Sequence, residues 1–394
     1  MLQKINWSYW QSLSIVLVLV TLPMPKNNIN AQAIILMLVV WLLSDKFSSK
    51  FKRLIKHKYA FLSISVWFLL FIVGLSYSVS MEQGLKNIQK SAPLLVIPLI
   101  IFSTSLNAKK LNFTMKWFSI SVICCALFAL AKASYFTYMG LGNYFYNQNL
   151  AALLNIHTSY YSLFCVIVVL YLVSNVYQKK HDLFCWFGVL FLIIFMYLLS
   201  SRMAVFSLGI GGFVLLYHRF RQKAFLAIIP IGLVMLAFLF SPNFQKREVG
   251  NSQFGTTAPK LSTRILHWKA VIDAVGGDNI LIGNGSGTSK EHVYDAYEKY
   301  SFTEGVLHKY NAHNQFLEHF IYFGLISILI WCFCFAVWIK NIFFYNPFLF
   351  ASSIVIICFM FTESILERQH GIVTMALFIS LTLKVKNKKN ELRK

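Results

Sequence analysis

Apolar runs separated by short polar interruptions recur along nearly the whole chain. Runs of roughly 16 to 25 residues match the thickness of a bilayer's hydrocarbon core when they are helical. Twelve such runs fall at 7–23, 29–44, 59–77, 91–105, 114–139, 159–177, 183–200, 203–217, 224–240, 314–338, 346–362 and 370–383. The pattern predicts an all-α polytopic membrane protein of about twelve transmembrane helices. The first run could pass for a signal-peptide core, but it lacks a small-x-small cleavage site and leads into Pro23 and Pro25. It is read as a retained helix.

One connection breaks the short-loop rule. Residues 1–240 hold spans one to nine, 313–383 hold spans ten to twelve, and 384–394 form a basic tail read as a disordered end. Between them 241–312 is polar and too long to be a mere connector. It opens with "SPNFQKREVGNSQFGTTAPK", which reads as flexible. "STRILHWKAVIDAV" follows, with Ser262 or Thr263 as N-cap and Ile265, Trp268, Ile272 and Val275 at helical spacing. This spacing predicts an amphipathic helix lying on the membrane surface. "GNGSG" reads as a turn, and "TSKEHVYDAYEKYSF" as a second helix.

Charge gives the orientation. Lysine and arginine collect in loop 45–58, which carries six, in 106–116 with three, 178–182 with two, 218–223 with three, and the tail from Lys384 with six. Loop 140–158 carries none. By the positive-inside rule both termini are cytoplasmic and the long loop is external. The net charge of +22 therefore marks topology and not a nucleic-acid surface. The chain is 57% hydrophobic and 13% charged, against about 25% charge in soluble domains. All seven cysteines sit in apolar runs, so neither a disulfide framework nor a CxxC metal site is expected.

Ionisable groups inside spans are costly and mark function by default. Lys132 in span five, Arg202 between spans seven and eight, Glu318 in span ten and Glu363 at the end of span eleven all fall toward the outer face under this topology. His157 and His313 open spans six and ten, and "ESILERQH", Glu363 to His370, joins the last two. Plain structural readings stand beside the functional ones. Lys132 can snorkel to the interface, and His157 can bond backbone at a helix start. Glu363, Glu367 and Arg368 can form an interfacial ion-pair cluster. Arg202 is harder to place so, because "LLSSRMAVFSLGIGG" supplies no neighbouring acid. "GNGSG" lacks both GxGxxG spacing and a βαβ context. The sequence has no GxSxG, HExxH, DxD or Walker pattern, which argues against metal-dependent sugar-nucleotide transfer.

"STRILHWKAVIDAV", "DNILIGNGSG" and "HNQFLEHFIYFGLIS", in that order, together with "SSRMA", resemble the signature of the O-antigen ligase and polymerase family. The resemblance implies a glycan donor linked to undecaprenyl pyrophosphate, used at the periplasmic face of a bacterial inner membrane. The acceptor would be a lipid A–core glycolipid for a ligase, or a second lipid-linked glycan for a polymerase. Arg202 and Arg264 match the family's arginines, whose planar forks suit a leaving pyrophosphate. His313 is the expected general base. Asn314 is the candidate helix cap that orients it, and Glu318 is a proton holder, an arginine partner or a structural group. Lys132 and His157 stand as possible supporting residues. A pyrophosphate already leaves well, so no metal or other cofactor is demanded. Membrane lipids are the remaining partners, and nucleic acid is not expected.

Arg202, Arg264 and Lys132 form one cation group where two lipid pyrophosphates would favour two, so the reading leans to ligase over polymerase. A flippase for the same lipid-linked sugar fits less well. It would place its charges near the midplane and show repeat symmetry.

Overall fold

A computed structural model describes residues 7–106, 108–176, 183–240, 261–275, 279–288, 290–340 and 345–385. The flexible stretch expected at the start of the long loop and most of the basic tail lie outside the described residues. The first half of the chain forms α1 (Trp7–Thr21), α2 (Asn27–Leu43), α3 (Phe47–Lys56), α4 (Lys58–Leu75), α5 (Met81–Ser91), α6 (Pro93–Ser103), α7 (Ala108–Tyr138), α8 (Asn147–Ala152) and α9 (Thr158–Val176). The second half adds α10 (Leu183–Leu199), α11 (Arg202–Phe220), α12 (Ile228–Leu239), α13 (Leu261–Val275), α14 (Glu291–Lys299), α15 (Thr303–Leu307), α16 (Gln315–Ile339), α17 (Pro347–Met360) and α18 (Gln369–Lys384).

Every one of the twelve apolar runs folds as helix. Among the described residues, six helical stretches are long and apolar enough to cross a membrane, or seven if α2 and α3, bent by 112°, count as one. α1, α10 and α17 are apolar but shorter. The centre of the bundle is α9, buried without a break from Thr158 to Leu172, and α18, buried from His370 to Leu383. α9 packs on α10, α11 and α17, and α18 packs on α6 and α17.

Three elements differ from expectation. Loop 45–58 is not a loop: it contains α3 and the start of α4. Polar residues ahead of the fourth run form a separate amphipathic helix, α5, capped by Ser80. α13 already begins at Leu261, so Ser262 and Thr263 lie in its first turn instead of capping it. Within α13, Ile265 and Ile272 are exposed, while His267, Ala270, Val271 and Val275 are buried. The small residues let α13 dock on α14 and α16 and leave the Ile265/Ile272 edge outward.

The "GNGSG" segment is more than a tight turn. α16 breaks at Gly324, whose φ of 54° and ψ of −146° interrupt the helical ladder. Residues 280–287 enter the break. Asn284 N donates to Ile321 O at 3.0 Å and Gly285 N to Tyr322 O at 2.9 Å, while Leu325 N donates to Ile280 O at 2.9 Å and Ile326 N to Leu281 O at 3.3 Å. On its other side the segment is tied to the end of α4, through Ser286 N to Gly74 O at 3.2 Å, and to α5, through Asn87 Nδ2 to Ser286 O at 2.8 Å. Gly283 has φ of 69°, and a Cβ there would lie 2.5 Å from Phe323 N. Glycine is required where two backbones meet this closely. Irregular backbone at membrane depth survives only when such partners are supplied.

Candidate active site

His313 immediately precedes the cap of α16, with a left-handed φ of 46°. Its Nδ1 lies 3.5 Å from Glu363 Oε2, in the turn that follows α17. Glu363 Oε1 accepts from Ser159 Oγ at 2.7 Å, on the first turn of α9. His157 Nδ1 accepts from Ser159 N at 3.4 Å. Two histidines and a carboxylate from three separate parts of the chain thus converge at one end of the bundle. Burial opposes the charge of Glu363, but His313, His157 and the Ser159 hydroxyl outweigh it and hold its carboxyl well below the usual carboxylate range. His313 and Glu363 keep side-chain exposures of 22% and 16%, enough for a ligand to reach them.

The arginine candidates occupy helix starts. Ser200, with φ of 51°, turns the chain, and Ser201 caps α11 by accepting from Ala204 N at 3.4 Å. Arg202 therefore occupies the first helical position of α11, and its side chain is exposed. Ser162 Oγ donates to Ser201 Oγ at 3.0 Å. The first two turns of α9 thus touch both the Arg202 cap, through Ser162, and Glu363, through Ser159. Arg264 lies on the backbone of α13, and its side chain falls outside the described residues. Lys132 is not drawn into this cluster: its Nζ lies over the Phe136 ring of its own helix at 5.6 Å.

Asn314 accepts from Phe316 N at 2.9 Å and Leu317 N at 3.2 Å, capping α16, and donates to Phe361 O at 3.2 Å. One side chain therefore fixes the helix mouth to the turn that bears Glu363. Glu318 pairs with Lys290 and accepts from Ala312 N at 3.0 Å and Ser364 Oγ at 2.9 Å. Lys290 also reaches Asn311 Oδ1 at 3.1 Å and Glu367 at 3.7 Å, and Lys90 pairs with Glu367 at 2.9 Å.

The acids after α17 are therefore not an ion-pair cluster with Arg368. Glu363 faces histidine and Glu367 faces lysines. Burial disfavours the Glu367 charge, yet Lys290 and Lys90 hold its carboxyl well below the usual range. Burial likewise disfavours the Lys290 ammonium, and Glu318 with Glu367 more than offsets it, holding the amine well above its ordinary value. His370 is a core residue, its ring 6.2 Å from Tyr160 and 6.3 Å from Phe164.

Sequence reasoning missed Lys290, Lys90 and His267. His267 is fully buried and stacks on His313 with ring centres 5.7 Å apart and planes 20° from parallel. Phe302 at 4.4 Å and Tyr297 at 5.2 Å enclose its other sides. The available signal was the second face of α13, where His267 aligns with Ala270, Val271 and Ala274 at helical spacing. The larger apolar residues of the opposite face dominate the pattern and mask it.

Chemically, a carboxylate on Nδ1 of an imidazole fixes the tautomer and leaves the Nε2 lone pair to take a proton. An arginine at a helix N-terminus, where backbone N–H groups and the dipole already favour anions, suits a phosphate group.

A family model described as O-antigen ligase matches residues 187–332. That stretch includes Arg202, α13, the inserted segment and His313. A search of curated proteins returns no match.

Proposed function

We propose, from the match of residues 187–332 to the O-antigen ligase model, that the chain is a glycosyltransferase working within a membrane. It moves a glycan from undecaprenyl pyrophosphate to the hydroxyl of a lipid A–core acceptor. The proposal includes a twelve-span topology with both termini cytoplasmic and the His313 end facing the periplasm of a bacterial inner membrane. One observation carries it. The polar mouth of α16 presents His313 to the Glu363 carboxylate at 3.5 Å, at the same end of the bundle as Arg202.

In the proposed step the acceptor oxygen forms a bond to the anomeric carbon. The bond from that carbon to the pyrophosphate oxygen breaks, and its electron pair leaves with undecaprenyl pyrophosphate. The acceptor's proton goes to His313 Nε2, and Glu363 stabilises the imidazolium that results. Arg202 and Arg264 meet the growing charge on the leaving group. A lysine is a point charge, so Arg→Lys at either position should lose most of the activity. Glu318 is assigned a structural role, since its oxygens are already engaged by Lys290, Ala312 N and Ser364. That pairing also takes Lys290 out of the cations available to phosphate, which supports ligase over polymerase. Reconstitution with purified donor tests the choice. Transfer that requires a lipid A–core acceptor supports the ligase. A ladder of lengthening lipid-linked chains from donor alone makes the protein a polymerase.

A further inference from the structure

α3 lies at the other end of the bundle from His313. α4 runs from α3 to the inserted segment, and α18 runs from the Glu367 turn to Lys384. The 112° bend from α2 turns α3 across the bundle axis. Its residues sort into three faces. The inward face is tied down: Lys50 Nζ donates to Trp41 O at 2.5 Å, and Arg53 donates to Ser103 O and to Asp45, both at 2.5 Å. Next to it Phe47, Phe51 and Ile55, at a spacing of four, form an apolar row exposed by 62%, 62% and 50%. The third face carries Lys52 and Lys56, both exposed, with Ser48 and Ser49. Lys384 adds a cation beside them, donating to Phe102 O at 3.0 Å. Asp45 is the sole acid of 45–58, and Arg53 already holds it.

We propose that α3 is a binding site for anionic phospholipid, with the Phe47–Phe51–Ile55 row among the acyl chains and Lys52 and Lys56 on the headgroup phosphate. A helix lying flat at the interface with an apolar edge beside a cationic edge has this complementarity. A mere span-to-span connector would have no use for an exposed three-residue aromatic and aliphatic row. The assignment to phospholipid, and not to a free phosphate, rests on that row. The site is remote from His313 and does not depend on the proposed activity.

The test uses the full chain purified in detergent and native mass spectrometry with phosphatidylglycerol and phosphatidylcholine of matched acyl chains. Wild type should retain phosphatidylglycerol in preference at low salt, and rising salt should weaken the preference. K52Q/K56Q should lose roughly an order of magnitude of that preference. Both side chains are exposed, and an unchanged melting temperature checks that the fold is kept. Equal retention of the two lipids by wild type, or an undiminished preference in K52Q/K56Q, overturns the site. sn-Glycerol 3-phosphate should not displace the lipid. If it does so fully, the site reads phosphate alone and the phospholipid assignment is wrong.

Discussion

Two charged clusters sit side by side at the His313 end, and their wiring differs. In one, Lys90 and Lys290 face Glu318 and Glu367, so charge is balanced within the cluster and Glu318 is fully buried. In the other, one carboxylate, Glu363, serves His313 while Ser159 and His157 stand behind it, and the pair stays partly open. A balanced buried cluster resists change and acts as a clasp between α14, α16 and the turn after α17. A partly open carboxylate–imidazole pair can exchange protons with something that arrives. The difference teaches that proximity to the mouth does not make an ionisable group catalytic. What matters is whether its partners are already fixed.

The sharpest way to break the comparison is His313→Ala. Transfer should fall by about two to four orders of magnitude while the melting temperature holds. Full turnover in the purified variant would remove His313 as the base and make His157 the next residue to test. Lys290→Met attacks the clasp instead. It strands the buried Glu318 carboxylate, leaves Glu367 to Lys90 alone, and should destabilise the fold by about 3–5 kcal/mol, read as a loss of melting temperature with or without substrate. A normal melting curve for this variant would mean the clasp holds nothing together.

Acid and base titration should show a gentler effect of the same clasp. Glu367 is held below its ordinary 4.5, so its contribution is present above that value and fades as pH falls through the depressed one. Lys290 is held above its ordinary 10.5, so its contribution is present below that value and fades as pH rises through the elevated one. Stability from this cluster should be level between those two ordinary values and drop outside them. A melting-temperature difference between wild type and Lys290→Met that changes within the window would contradict this account. The smallest change is Asn314→Ala, which removes the cap of α16 at a cost of about 1 kcal/mol.

Much of this arrangement was legible beforehand. The apolar runs located the twelve long helical stretches, because each run's length and apolarity are written into its own residues, but not the short polar helices α3, α5 and α8. The misplaced polarity of "AHNQFLEH" marked the mouth of α16, and Asn314 takes the capping position expected of it. Pairings between distant segments were not legible. His313 meets Glu363 only because α17 returns the chain to the same end, and nothing local to either residue encodes that. Nothing local marks Lys290, because its two acids lie in the first turn of α16 and in the turn after α17. The helical nature of 45–58 was hidden for a different reason. Its cations satisfied the topology rule so fully that the row Phe47, Phe51, Ile55 between them drew no attention.

The break in α16 bears on how the molecule is made. A chain emerges from its N-terminus, so α4, α5 and the 280–287 segment exist before α16 is synthesised. The segment can rest on Gly74 and Asn87 and wait, offering the two carbonyls and two amides that α16 needs at Gly324. α16 then completes its ladder against a template already in place, instead of crossing the bilayer with its own bonds broken. Segment and helix are consequently one unit of inheritance. A chimera that takes the loop from one parent and α16 from another separates a lock from its key, even if every residue around His313 is kept.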